Sequence, residues 1–368
     1  MTFEKEIALL FSVVLLPLYG CIYEDLPECP PQNGVVLSYD FLCNMEYKDE
    51  LGEAVQDLKT FVFDSNGILC DTLRPPVGSG ELCLGWQRKI DLAPGVYTIV
   101  TWAGSEEFDR DFQILQSTCA TDESVCSPVI GKTNLKDFRV FLNYNINLAD
   151  NDRAIPQTRQ FKDLFHGLVE NVVVEKDKET LVHTSLIKNT NVVRVGIGGW
   201  PKTGINSENI QENWDIHISG RNGHYKYDNT IKEYAPLLTY TTYDMNLSSD
   251  TVYAYIKVMR LMGEEEEDPF SNAPLYLDVV YKPTNLVVCR NLDIIKVILD
   301  SRIPLRDEKG NIETDSNGDP IMVLPGVEYL DRQDFYTIDF EETESEGNIR
   351  FTIYVNGWKV QDIYPVFP

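Results

Sequence analysis

The sequence predicts an all-β protein, with two antiparallel β domains in tandem behind a removable apolar leader. Three observations carry this. From Val35 onward, apolar and polar residues alternate in one short run after another, which is the period of a half-buried strand. Asn-Gly and Pro-Gly turn chemistry punctuates the runs. Residues 96–104, rich in β-branched and aromatic side chains, show no helical period. With 43% hydrophobic residues in 368, the chain can bury a core, which excludes global disorder, and its length allows more than one domain.

The leader comes first. Residues 7–18 are apolar and carry no charge. A membrane-spanning helix needs about 20 such residues, so this run suits the apolar region of a secretory signal better. Lys5 gives it a weak positive front, flanked by Glu4 and Glu6. The run ends in Leu18-Tyr19-Gly20-Cys21. That pattern resembles a bacterial lipobox, in which a small residue precedes a cysteine that is acylated and becomes the new N-terminus. Tyr19 is bulkier than the usual alanine or serine. On this reading residues 1–20 are a cleaved lipoprotein signal peptide and Cys21 is the lipidation site. The competing reading is a plain secretory signal with an incidental cysteine. At about 0.8 kcal/mol per buried methylene, several acyl chains together hold a protein stably on a membrane. Residues 21–33 are acidic and proline-rich, the composition of a semi-rigid tether.

The first domain is expected over residues 34–155. Val35, Leu37, Tyr39 and Phe41 alternate as one face of a strand. Residues 58–63 run into Asp64-Ser65-Asn66-Gly67 and then Ile68-Leu69-Cys70. Asn-Gly there predicts a hairpin with a type I′ turn. Residues 81–92 read as a strand closed by Ala93-Pro94-Gly95, and residues 96–104 as the next. Residues 105–130 are polar and read as loop with at most a short helix; residues 138–142 read as a strand.

The second domain is expected over residues 156–368. Residues 169–175 and 190–196 alternate, with Val193 and Val195 on one face. Residues 214–218 and 224–227 flank Gly220-Arg221-Asn222-Gly223 and read as a hairpin. Over residues 251–258, Val252, Ala254, Ile256 and Val258 face inward. Glu264 to Asp268 form a charged loop. Strands over 275–281 and 284–290 bracket Lys282-Pro283, and residues 291–300 fit helix or strand. Ile349, Phe351, Ile353 and Val355 mark a final strand ending at Asn356-Gly357-Trp358.

Charge and cysteines narrow the function. Against 58 acidic residues there are 32 basic ones, a net charge of −26. Such a body repels phosphate backbones, which argues against nucleic acid as a partner. An anionic membrane surface would repel it too, so lipid attachment makes more sense than a basic patch. Of the cysteines left after Cys21, six lie between Cys29 and Cys126, and export would permit disulfides among them. Cys119 and Cys126 flank a short polar loop and are the pair best placed for a local bridge; the other pairings stay open. Cys289, inside an apolar run, reads as a small buried hydrophobe.

No catalytic signature stands out: no Gly-x-Ser-x-Gly elbow, His-Glu-x-x-His pair or phosphate loop. Gly196-Ile197-Gly198-Gly199 lacks a following helix, which Pro201 and Gly204 disfavour. His217 and His224 would face each other across their hairpin, as a surface pair rather than a metal site. The acidic turns at 64–67 and 307–319 lack the glutamate of a calcium loop and read as solvated turns. No cofactor or metal is expected, and the chain does not read as an enzyme.

The tether beginning Cys21-Ile22-Tyr23-Glu24-Asp25, the hairpin 60–67 and the segment 92–104 carry a resemblance. So do Leu164-Phe165-His166-Gly167 and the C-terminal Asn356-Gly357-Trp358. Together they resemble the FimB/Mfa2 family of fimbrial anchor and assembly lipoproteins of Bacteroides-type bacteria. The resemblance implies two tandem transthyretin-like antiparallel β-sandwich domains after the cleaved signal. It also implies a place at the base of a pilus on the cell-surface side of the outer membrane, with shaft pilins as partners through strand exchange. Residues 348–356 are one candidate pairing strand. A glycan- or nutrient-binding surface lipoprotein is the alternative, with Trp86, Trp102, Trp200, Trp214 and Trp358 as candidate platform residues. A secreted hydrolase is the third reading, without a carboxylate pair to name.

Overall fold

Alternation acts first at β1 (Gly34–Asp40), where Val35, Leu37 and Tyr39 are buried on one face. The structure, a computed structural model, describes residues 34–74, 82, 85–105, 107–116, 127–143, 155–157, 160–199, 209–233, 235–263, 273–307, 309–345 and 348–366. After β1 come helix α1 (Leu51–Ala54) and strands β2 (Asp57–Phe63), β3 (Leu69–Leu73), β4 (Gln87–Ile90) and β5 (Gly95–Gly104). Helix α2 (Phe108–Asp111) leads into β6 (Phe112–Gln116), β7 (Phe138–Leu142) and β8 (Ile155–Gln157). Then follow β9 (Leu164–Val174), β10 (Glu179–Ser185), β11 (Ile187–Lys188), β12 (Thr190–Gly198) and helix α3 (Ile210–Asn213). Next are β13 (Trp214–Gly220), β14 (His224–Lys226), β15 (Leu238–Thr241), β16 (Asp244–Ser248) and β17 (Thr251–Met259). The chain closes with β18 (Tyr276–Tyr281), β19 (Leu286–Asp293), α4 (Ile294–Asp300), α5 (Gly326–Arg332), β20 (Phe335–Ser345), β21 (Asn348–Val355) and β22 (Trp358–Ile363).

The fold is all-β, as expected, and its sheets stack face to face. An outer sheet in the order β10-β1-β4 covers a central sheet in the order β11-β9-β5-β2-β3. Val35, Leu37, Leu58, Val62, Ile99 and Val172 close the space between them. The other face of the central sheet carries Phe61, Phe63 and Trp102 and meets a cover sheet, β14-β7-β6. Phe138 of the cover sheet sits 4.7 Å from the Phe61 ring and 5.2 Å from the Phe63 ring. In the C-terminal half a long sheet, β16-β17-β12-β20-β21-β22, shares a core with a facing sheet, β19-β18-β13-β15-β8. Val252, Ala254, Ile256 and Val258 are buried there, as their alternation predicts, together with Val193 and Val195. That core is continuous with the cover sheet, so the two halves share apolar interior.

Several details differ from expectation. The sheets are mixed, because β1–β10, β12–β20 and β15–β8 pair in parallel. Sequence periodicity reports faces and says nothing of strand direction. Strands β9 and β10, beyond residue 155, pair with β5 and β1. The short β8 pairs with β15 of the C-terminal half. Of the strand expected over 81–92, the part that pairs is Gln87–Ile90; residues 81, 83 and 84 lie outside the described residues. The loop expected over 105–130 contains α2 and β6, held by buried Phe108 and Phe112. Residues 291–300 divide their allegiance: β19 runs to Asp293, whose side chain then caps α4 by accepting from the Lys296 N–H at 3.1 Å.

Three Asn-Gly sites behave differently. At Asn66-Gly67 the hairpin forms, but Gly67 alone has positive φ, at 74°. The Gly67 N–H bonds Asp64 O, and the Asp64 carboxylate accepts from the N–H groups of Asn66 and Ile68, both at 2.9 Å. This Asx turn displaces the expected type I′ geometry. At Asn222-Gly223 no hairpin forms. The Asn222 side chain is buried, donates to the carbonyls of Met259 and Arg260, and accepts from Tyr240 Oη at 2.7 Å. The chain therefore leaves the facing sheet, and β14 pairs with β7 instead of β13. At Asn356-Gly357 both residues have positive φ, 49° and 81°, and the tight turn returns as β22. Thus β21 is neither the last strand nor an edge: it lies between β20 and β22.

Candidate anchoring and docking site

Leu18, Tyr19, Gly20 and Cys21 lie outside the described residues, as do Cys119 and Cys126. Gly34 is the first described residue and opens β1. Gly34 has φ +126°, and a Cβ there would meet Ile90 O at 2.3 Å, so the entry into β1 requires glycine. It opens the middle strand of the outer sheet, level with Glu179 and beside Ile90. Residues 21–33 could reach at most on the order of 45 Å when extended. Cys43, Cys70 and Cys289 are free thiols. Cys289 is buried as expected, and burial pushes its thiol well up.

The other end of the same sheets joins the C-terminal half. Leu164 pairs with Gly104, and the neighbouring Asp163 takes Lys257 Nζ at 2.6 Å, Lys188 Nζ at 3.2 Å and the Thr190 hydroxyl at 2.8 Å. Lys188 also reaches Asp334 at 2.6 Å. Burial alone would raise the Asp163 carboxyl; Lys188 and Lys257 outweigh it and bring it down to about 2. Nearby, Arg260 binds Asp331 of α5 with two parallel bonds of 2.7 and 2.8 Å. Arg332 lies over the Tyr47 ring at 4.2 Å and donates to Leu42 O. The sequence shows these charges but not their meeting, because the partners lie up to 290 residues apart.

Replacing Asp163 by Asn leaves two enclosed lysines short of their anion. Its side chain keeps 33% exposure, so screening trims the penalty below that of a sealed pair. We expect Asp163→Asn to lower the unfolding free energy by about 2 kcal/mol in urea titrations at pH 7. A depressed carboxylate stabilises above its unfolded value. The difference from the variant should therefore hold above about pH 4 and vanish as pH falls from 3.8 towards about 2.

The histidines do not assemble a metal site. His217 turns to Asp215 at 3.0 Å and Asp278 at 3.7 Å. His224 is buried, 5.5 Å from the Phe141 ring, so the expected surface pair does not exist. Among the described residues no three His, Cys, Asp or Glu side chains are placed to hold a metal ion. The acidic turns spend their carboxylates internally: Asp307 accepts from the N–H groups of Lys309 and Asn311, Asp315 from those of Asn317 and Asp319. One constellation was invisible in sequence. Parallel pairing of β1 and β10 sets His183 between Ser38, at 3.0 Å from Nδ1, and Asp40, at 2.6 Å from Nε2. His183 is exposed on the outer sheet, and β10, which carries it, is an edge strand. The described tryptophans do not form a platform. Trp102 and Trp214 are buried, Trp86 is half-buried beside Tyr39, and Trp200 lies outside the described residues. Trp358 alone of the described tryptophans is largely exposed, at 57%.

Trp358 opens β22, an edge strand. Among the described residues, β21 pairs with one side of β22 and no strand pairs with the other. Further on, Val366 bridges to Val287 of β19. No helix of the described residues is long and apolar enough to cross a membrane.

These features define a class: an all-β structural scaffold with open strand edges and charges spent on holding its halves together. Residues 26–364 match the family described as Fimbrillin-A associated anchor proteins Mfa1 and Mfa2, and the chain belongs to that family. It is accordingly a fimbria-associated protein of the cell envelope and not an enzyme. No curated protein matches it. Among solved structures it is similar to the fimbrial anchor protein Mfa2 from Porphyromonas gingivalis: TM-score 0.60, 18% identity, 90% of this chain and 99% of that one covered. A candidate adhesin from Bacteroides ovatus gives TM-score 0.66 and 21% identity, covering 93% and 97%. A candidate polysaccharide-binding protein from Bacteroides thetaiotaomicron gives 0.64 and 22%, covering 89% and 96%. At these identities the likenesses speak for the fold.

Proposed function

We propose that this protein is the lipid-anchored foot of a fimbria. Acyl chains on Cys21 hold it on the outer membrane, residues 21–33 tether the body, and fimbrial shaft subunits dock on the C-terminal half, whose contacts assist fibre assembly or length control. The body divides into two β-sandwich units, the first built mainly from residues 34–188.

The observation that carries this reading is the polarity of the body. The tether enters at the Gly34 end of the outer sheet, and the C-terminal half joins at the opposite end, around Asp163 and Leu164. A membrane-held foot needs that separation. The free edge of β22 supports the docking arm, because an added strand there gains main-chain hydrogen bonds and the exposed Trp358 offers an aromatic anchor.

Both arms are open to test in cells. With Cys21→Ala, the protein should leave washed membranes and fimbriae should be shed into the medium. Its retention on membranes would sink the anchor. A photoreactive side chain in place of Trp358 should form a covalent adduct with a fimbrial shaft subunit, while the same group in place of Arg88 should not. Equal labelling at both positions, or none at 358, would sink docking at β22.

A further inference from the structure

The end of the body from which the tether emerges has a composition of its own. Gly34 is level with Glu179, and Gly95 and Val96 are level with Val174 and Val173, so the turn from Glu175 to Lys178 projects beside the tether exit. Apolar side chains flank that turn on both sides. Val172 and Val174 point into the core, which turns Val173 to the opposite face of the central sheet; there it pairs with Val96. The two are 53% and 41% exposed. Val182 points into the core from the outer sheet, which turns Leu181 outward. At 75%, Leu181 is the most exposed large hydrophobic side chain among the described residues.

The charges on β4 and on the 175–179 turn depart from the rest. There Arg88, Lys89, Lys176 and Lys178 balance Asp91, Glu175, Asp177 and Glu179, in a chain whose net charge is −26. Lys178 pairs with Glu175 at 3.0 Å, Lys89 with Glu179 at 3.3 Å and Lys176 with Asp177 at 4.0 Å. Such exposed pairs hold weakly. Their ammonium groups can turn to phosphate at little cost, stretching their stems along an interface. An anionic surface that repels the acidic body is not repelled here.

We propose that this end is a membrane-resting face. Val96, Val173 and Leu181 enter the headgroup boundary, and Arg88, Lys89, Lys176 and Lys178 meet lipid phosphates. The inference rests on the lipid anchor at Cys21 and adds to it. The lipid decides that the protein stays at the membrane, and this face decides how it stands, with the C-terminal half directed outward. The occupant is the bilayer, because a tether of residues 21–33 starts from this end and keeps it nearer the membrane than the other.

The test uses the lipidated full-length mature protein on vesicles of phosphatidylethanolamine and phosphatidylglycerol, against the same protein in detergent. Flotation reads the anchor, and amide hydrogen exchange reads the face. We expect the protein to float, and the amides of residues 175–181 to exchange about fivefold more slowly on vesicles. Val173→Asp with Leu181→Asp should still float and lose the slowing; both side chains are exposed, so the fold should tolerate the change. A wild-type protein that floats without slowing overturns the resting face and leaves the anchor standing. A protein that does not float overturns the anchor and the face with it. Slowing in detergent that grows with protein concentration would assign the patch to a second copy and also overturn the proposal.

Discussion

Between pH 7 and pH 5 the protein should lose about 4 kcal/mol of unfolding free energy, through two buried histidines. His166, in β9, lies against Trp102 with ring centroids 4.5 Å apart, and its Nε2–H donates to Tyr227 O at 2.8 Å. Burial pushes it down from 6.5 to about 4. Burial likewise pushes His224 down to about 3, helped by Lys232 and Arg139. Both are held neutral when folded and take up protons when unfolded. Stability is therefore whole above pH 6.5, falls as pH drops below it, and stops falling through each group below its folded value. Urea titrations at pH 7 and pH 5 measure the loss. In the double variant His166→Gln, His224→Phe, the loss should shrink below about 1 kcal/mol. A variant that keeps the full loss would show that other groups carry it. Acid should open the seam first, since β14 and the Tyr227 carbonyl come from the C-terminal half and pack on strands of the N-terminal half.

The second large effect concerns Arg260 and Asp331. Their side chains are each about 10% exposed. Burial raises the Asp331 carboxyl and Arg260 only partly offsets this. The pair is thus costly to bury yet costly to break. Asp331→Leu alone strands a buried guanidinium and should cost about 3–5 kcal/mol. Arg260→Met with Asp331→Leu replaces the pair by apolar volume and should fall within about 1 kcal/mol of the natural protein. Thermal and urea unfolding of the natural protein, of Asp331→Leu and Arg260→Met singly, and of the double variant give the coupling directly. Additive losses in the double variant would mean zero coupling, and would show that the two residues contribute independently of each other.

Much of the fold is legible in the chain because period is local. Residues 251–258 and 349–355 declare their faces through alternation, and the structure buries those faces. Asn356-Gly357 shows the limit of local reading. The turn chemistry there is as strong as at Asn66-Gly67, yet β22 shows weak alternation and is easily missed as a strand. Asn222-Gly223 fails for the opposite reason: a buried asparagine side chain takes three tertiary bonds, and these outweigh the local turn preference.

By itself the sequence determined the acidic, strand-built character of the protein and the faces of its strongest strands. Those properties reside in neighbouring residues, where composition and spacing act directly. Tertiary structure alone decided which strands meet, that β1 runs parallel to β10, that β21 is enclosed and β22 exposed, and that Gly34 opens β1 at one end while the C-terminal half joins at the other. Each of these depends on side chains from distant parts of the chain being buried together. His183 and Asp40, 143 residues apart, meet only because the outer sheet closes over its core.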